Sequence, residues 1–283
     1  MGKLRTTIVD DTFNQKQSFQ YKLFILVGVN SFLYLVTDQN KNVSLLKEYT
    51  FDTRTSTQLP GERIHKLFKE DGLLNLSYAE AKVAFLGSRQ TFVPNRLYNP
   101  AQKTTYLQHV ADLGASQLVE ANQLNLLRAY NVFPIDHATH TYLKQMYPRV
   151  QFFHNTSALY LGFHQQAAHD GNSLFLNVRE EFAQLFFFKN KELLFSNTFQ
   201  FKSPKDLVYY VLLVYEQFKL DPKEQSIQVA SEFEEGGDFH KSLHRYVSHI
   251  QPVLPPKGFN FGNKTRKQLS SHLFFDVMSV SLC

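Results

Sequence analysis

The chain has 283 residues, of which 43% are hydrophobic and 19% charged, with a net charge of +5. That length holds two ordinary domains or one large one, and that composition excludes a disordered chain. The charge is too dilute to demand nucleic acid or anionic lipid, and the single cysteine, Cys283, excludes an internal disulfide and fits a reducing compartment.

The opening MGKLRTTIVDDTFNQ has no apolar signal core, and the most apolar windows, LFILVGV and YYVLLVY, are far too short to span a membrane. A cytoplasmic protein is expected. YKLFILVG is a near-continuous apolar run, the pattern of a strand covered on both faces. A tight corner at Gly28-Val29-Asn30 leads into SFLYLVTD, and QNKN turns the chain into a third strand, VSLLKEYTF. GERIHKLFKEDG reads as a short helix, AKVAFLGS and TFVPNRLY as strands, and NPAQKTTYLQHVADLG as a helix begun at Asn99-Pro100. QLVEANQLNLLRAYNV suits an inserted strand pair. IDHATHTYLKQMYP follows as a helix capped by Asp136, RVQFFH as a strand, and NTSALYLGFHQQAAH as a helix capped by Asn155.

Three further strands follow in NSLFLNV, EFAQLFFF and ELLFSNTF. SPKDLVYYVLLVYEQFKL is the strongest helix, with Ser203 as N-cap, Pro204 in the first helical position and Asp206 at the positive end. SIQVAS is a short strand, GGDFHKSLHRYVSHI a helix, QPVL an edge segment and TRKQLSSHLFFDVMSVSL a closing helix.

The two sets of three strands match each other at a spacing of 150 residues. Leu26 meets Leu176, Phe32 meets Phe182, Leu35 meets Leu185, Asn40-Lys41 meets Asn190-Lys191, and Phe51 meets Phe201. Two copies are too few for a solenoid and suit a duplicated domain. Each half runs β-β-β-α-β-α-β-α, the ribonuclease H-like plan. The expected fold is therefore α/β, with two tandem ribonuclease H-like domains: residues 1–168, with the inserted hairpin, and residues 169–283. Such a tandem resembles the actin-like ATPase fold, with a cleft between its halves.

Particular stretches carry a family resemblance. LNVREEFAQLFFFKNKELLF resembles the second-domain opening of actin-like pilus-assembly proteins. FVPNRLYNP and the closing SSHLFFDVMSVSLC, set in the full-length plan, resemble an uncharacterised Bacteroidota family with an actin-like ATPase fold. The resemblance implies a fold and no assigned activity.

An actin-like site binds nucleotide phosphates at two glycine-containing corners, one in the first hairpin of each half, with an Asp before each corner to hold Mg²⁺ or water. Here Val27 (or Leu26) stands in the first position and the neutral Asn177 in the second. The glycine two places beyond is Arg179, followed by Glu180 and Glu181. An Arg can contact phosphate, but the two carboxylates repel it. SIQVAS should lead into a glycine pair, yet Glu232 and Phe233 come next; Gly236-Gly237 lies further on. Gly28, Asn30, Ser31, Asn177 and Arg179 are the weak cofactor-binding candidates, for ATP and Mg²⁺. No catalytic residue and no metal ligand set is assigned. A two-metal nuclease is excluded by the same missing first-strand acids.

Other constellations fall short. His240 and His244 share a helix face with His249 close behind, and His137 and His140 form a second pair, but neither set has a third ligand. Ser157 and Ser203 lack a nucleophile elbow, and no Walker phosphate loop or dinucleotide fingerprint is present. LFFF, Leu185–Phe188, is expected to be buried on both sheet faces rather than to offer aromatics to a partner. Three functional readings follow. The first is a non-catalytic actin-like protein that binds an unidentified protein partner or acts as a scaffold, with no cofactor. The second is a nucleotide-binding ATPase. The third is nucleic-acid binding through Lys257, Lys264, Arg266 and Lys267. The first is favoured, and neither a membrane nor nucleic acid is the expected partner.

Overall fold

A computed structural model describes residues 2–52, 60–262 and 270–283. The chain packs as two compact units. One is built from residues up to Ala158, with returning segments that begin at Gly258 and Val280. The other is Leu159–Lys257 with Ser270–Ser279.

The first unit holds a six-stranded sheet in the order β1-β4-β3-β2-β5-β9. Its strands are β1 (Lys3–Val9), β2 (Lys22–Val27), β3 (Ser31–Thr37), β4 (Val43–Thr50), β5 (Glu80–Phe85) and β9 (Gln151–His154). The meander β2-β3-β4 is antiparallel, and β5 and β9 extend it in parallel. Leu23, Ile25, Phe32, Tyr34 and Val36 face α1 (Pro60–Glu70), whose Ile64, Leu67 and Phe68 complete this core. Each such buried large apolar side chain contributes about 1.5–3 kcal/mol. β1 was not expected from KLRTTIV, whose exposed Lys3 and Arg5 mask a strand. It pairs antiparallel along β4 from Lys3↔Thr50 to Val9↔Leu45.

The inserted pair β7 (Gln117–Leu124) and β8 (Ala129–Asp136) is joined by β6 (Thr91–Pro94) in a separate three-stranded sheet, order β6-β8-β7. α2 (Lys103–Gln108) packs Leu107 against it, and Tyr98 stacks on Tyr130 with ring centroids 3.7 Å apart. α3 (His137–Met146) starts where Asp136 accepts the Thr139 N–H at 2.8 Å, the cap expected.

The second unit has a five-stranded sheet in the order β12-β11-β10-β13-β14: β10 (Asn172–Arg179), β11 (Phe182–Lys189), β12 (Glu192–Gln200), β13 (Ile227–Ser231) and β14 (Ile250–Pro252). Strand alternation sends Leu185 and Phe187 to one face and Phe186 and Phe188 to the other. The first pair joins the core under α5 (Pro204–Gln217), and Phe186 meets Phe163 of α4 (Asn155–Gln166) at 5.1 Å. LFFF is buried throughout, as expected. Ser203 caps α5 in a reciprocal capping box with Asp206. α6 covers only Asp238–His244.

The closing segment is not one helix. A 3-10 turn at Ser271–Phe274 precedes α7 (Phe275–Ser279), and a second 3-10 turn follows at Val280–Leu282. Ser279 Oγ donates back to the Phe275 carbonyl at 2.7 Å, an alternative to the regular ladder that suits a short helix.

The two meanders share a detail beyond strand order. Each has a register shift just before its second turn, at Val36/Thr37 and at Phe187/Phe188. They differ at the first corner. Val27 pairs with Phe32, whereas Asn177 pairs with Gln184 and the ladder runs on to Arg179↔Phe182. The second hairpin is thus two residues longer and its turn tighter, with Glu180 in the left-handed region at φ 57°.

Candidate functional site

Gly28, Asn30 and Ser31 share the first corner. The Gly28 N–H donates to the Ser31 carbonyl at 2.9 Å and so closes the hairpin, and the Phe51 N–H donates to the Asn30 carbonyl at 2.7 Å. Arg63 of α1 donates to the Val29 carbonyl at 3.0 Å. Val27, just before the corner, is buried against the α1 face and offers no oxygen from its side chain. The corner has the connectivity of a hairpin turn, with the Gly28 amide engaged inside it.

The second corner is richer. Asn177 lies near the end of β10, fully buried. Its Nδ2 donates to Gln184 Oε1 at 3.2 Å, and its Oδ1 accepts from Ser231 Oγ at 2.6 Å. Both ends of the amide are therefore engaged by neighbouring strands. Arg179, two residues on, points to the same side of the sheet and is only 1% exposed. Its Nε donates to Asp276 Oδ2 at 2.8 Å and its Nη2 to Asp276 Oδ1 at 3.0 Å, a two-pronged pair of the strong kind. Nη2 also donates to the Leu273 carbonyl at 2.8 Å.

Glu232 completes this corner. Its carboxylate accepts the Glu180 N–H at 2.7 Å and lies 3.6 Å from Arg179 Nη1. Its own N–H donates to the Val178 carbonyl at 2.7 Å. Ser231 bends the chain here, at φ 62°, and Phe233 drops into the core. The Glu180 N–H and the Arg179 guanidinium are donors of the kind a phosphate takes, and here both hold carboxylates of the chain itself. At the first corner stands a valine side chain, and at the second an amide engaged at both ends.

Asn177 and Arg179 are brought together on β10, as Gly28, Asn30 and Ser31 are at their corner. Asp276 carried no sequence signal, because its contact with Arg179 spans 97 residues. Glu232 was visible only as the residue standing in place of a glycine.

Two other polar centres escaped the sequence. In the first unit Asp71 Oδ2 accepts from Tyr34 (2.6 Å), Tyr49 (2.7 Å) and Lys47 (3.0 Å). Burial pushes the Asp71 carboxyl up, but the bonds from Tyr34, Tyr49 and Lys47 and the Lys47 charge outweigh it and hold it below the usual value. At the start of α4, burial drives His154 down to about 3, against a backbone hydrogen bond at Gly87, so it stays neutral. Its Nδ1 accepts the Thr156 N–H at 3.2 Å, and Ser157 beside it accepts from Asn131 at 3.0 Å.

The remaining candidates are scattered. His240 and His244 stack at 5.5 Å, and His140 lies 3.4 Å from Glu120. Among the described residues no group of three or more His, Cys, Asp or Glu side chains converges, and no helix is long and apolar enough to cross a membrane. Of the basic cluster, Lys257 is exposed, while Lys264, Arg266 and Lys267 lie outside the described residues.

The fold is similar to that of a Bacteroides thetaiotaomicron protein with an actin-like ATPase fold and unknown function. The TM-score is 0.80 at 20% identity, over 96% of this chain and 99% of that one. A structure described as the PilM-PilN type IV pilus biogenesis complex matches with a TM-score of 0.63 at 10% identity, over 92% of this chain and 97% of that one. These likenesses give the chain an actin-like ATPase fold, as the strand order and the resemblance of FVPNRLYNP implied. Comparison with curated proteins found no match. A sequence pattern that covers residues 10–250 gives the family: the chain belongs to DUF3822, proteins of unknown function.

Proposed function

We propose that this protein is a non-catalytic member of the actin-like fold that binds a protein partner or serves as a scaffold, and that it has lost nucleotide turnover. One observation carries the reading. The groups at the second corner suited to phosphate, the Arg179 guanidinium and the Glu180 N–H, are held by Asp276 and Glu232. A phosphate would have to displace two carboxylates and then sit among Glu180, Glu181 and Glu232, where like charge repels it. The fold neighbour from the PilM-PilN complex supports a partner-binding role by analogy alone. The matching strand orders and bulges support the inference that the two units arose by duplication. The lone cysteine supports a cytoplasmic setting.

The test is a titration of the full chain with fluorescent ATP and Mg²⁺, together with a phosphate-release assay. No saturable binding is expected up to about 1 mM nucleotide. Saturable micromolar binding with phosphate release would overturn the reading in favour of a working ATPase.

A further inference from the structure

The stretch FVPNRLYNP, Phe92–Pro100, takes no part in either corner, yet its backbone is firmly held. It leaves β6 at Pro94, which pairs with Ala129 of β8, and bends at once through a 3-10 turn, Asn95–Leu97. Behind the turn Tyr98 stacks on Tyr130. The Tyr106 hydroxyl of α2 donates to the Leu97 carbonyl at 2.6 Å and accepts the Asn99 N–H at 3.0 Å. A second 3-10 turn, Asn125–Leu127, joins β7 to β8 beside the first. The Asn95 N–H ties the two turns together by donating to the Arg128 carbonyl at 2.9 Å. Arg128 closes the second turn in the left-handed region at φ 54°, where Gly or Asn is the ordinary choice.

Backbone bonds and tyrosines make this frame, and each turn presents one leucine and one arginine that the frame does not use. Leu97 is 60% exposed and Leu126 64%, and Arg96 and Arg128 are exposed with them. Among the described residues no carboxylate pairs with either arginine. The chain here is also free of acids: no Asp or Glu stands between Glu80 and Asp112, or between Glu120 and Asp136. Along the β7-β8 ladder Asp136 lies opposite Gln117 and Glu120 opposite Phe133, away from the tip at Leu124↔Ala129. The tip is therefore apolar and cationic, which calls for an apolar and anionic partner. A nucleic-acid backbone would leave both leucines uncovered. An anionic bilayer is held by clusters of about four to eight cations, more than these turns carry. We propose that the double turn docks an acidic segment of a partner protein, whose carboxylates pair with Arg96 and Arg128 and whose large apolar side chains cover Leu97 and Leu126. The proposal rests on the protein-binding reading above and gives it a surface.

Selection of random linear peptides displayed on phage against the immobilised full chain tests it. Enriched peptides are expected to carry Asp or Glu beside large apolar residues. Fluorescence polarisation of the best of them then gives its affinity, which should fall as salt rises. Arg96→Glu/Arg128→Glu should weaken it by about tenfold or more, and so should Leu97→Ser/Leu126→Ser. All four side chains are exposed, so thermal melts by circular dichroism should match wild type. Put through the same selection, the charge-reversed variant should enrich basic peptides, an outcome that a merely damaged fold would not give. Absence of acidic, apolar peptides from the wild-type selection would overturn the proposal. So would arginine-dependent binding of phosphatidylglycerol vesicles or duplex DNA in place of peptide. An enriched peptide indifferent to both double variants would also overturn it, while leaving the protein-binding reading intact.

Discussion

The Arg179–Asp276 pair gives the most direct test of how the second corner is held. Asp276 is fully buried and Arg179 nearly so, and their fork is made of two bonds at 2.8 and 3.0 Å. Breaking such a pair from one side costs about 3–5 kcal/mol, because the surviving charge is left uncompensated. The two sides are unequal here. Asp276→Asn leaves the guanidinium with the Leu273 carbonyl and with Glu232 at 3.6 Å, so about 3 kcal/mol is expected. Arg179→Met leaves a buried carboxylate whose remaining bond is the Val277 N–H at 2.8 Å, so the upper end, about 5 kcal/mol, is expected. The double variant Arg179→Met/Asp276→Leu removes both charges and should cost less than either single change. Urea unfolding followed by circular dichroism measures all three, and the single changes should lower Tm by roughly 6–20 °C. An Asp276→Asn cost below about 1 kcal/mol, or a double-variant cost equal to the sum of the singles, would refute this account of the pair.

Three further outcomes follow from buried groups. Asp71 has a folded pKa held below its unfolded value, so its contribution is fully present above about pH 4 and is lost as pH falls through the lowered folded value. The stability gap between wild type and Asp71→Asn should therefore be widest near pH 7 and shrink below about pH 4; a gap constant down to about pH 3 would refute it. Tyr49→Phe removes one hydrogen bond to that carboxylate and should cost about 1.5–3 kcal/mol at pH 7 by denaturant titration. In α4, Gly162 lies against the closing segment. An added Cβ would collide with Ser279 Oγ and come within 2.8 Å of Phe275 Cζ. Gly162→Ala should therefore destabilise by about 1–3 kcal/mol despite the roughly 1 kcal/mol gain in helix propensity. A Tm equal to or above wild type would show that the segment yields.

Local chemistry was legible in the sequence and long-range chemistry was not. Ser203, Pro204 and Asp206 specify the start of α5 within four residues, and the structure begins the helix there. The period of two in EFAQLFFF fixed which phenylalanines share a face. β1 went unread although Thr6, Thr7, Ile8 and Val9 are strand formers, because its partner is the edge of β4, which lies some forty residues on in the chain. The closing segment kept a helical apolar pattern, yet only Phe275–Ser279 is α-helical among its described residues. At the candidate site, Val27 and Asn177 could be read directly. The capture of Arg179 by Asp276 could not, because nothing in local sequence says which carboxylate will be folded against it.

That difference changes what the corner residues mean. A valine at 27 and an asparagine at 177 say which side chains stand before the two corners, and nothing of the polar groups around them. The folded corner shows those groups otherwise engaged. Asn177 is held from two strands, by Ser231 and Gln184. Glu232 enters from the end of β13, where Ser231 adopts a left-handed bend, and Asp276 comes from the closing segment. Four parts of the second unit thus meet on one another around Arg179. The buried Arg179 charge is met within the chain by Asp276 and Glu232, and Asp276 also ties the closing segment to the sheet. Reopening the corner would loosen that attachment, so its chemistry and the stability of the second unit are bound to the same few side chains.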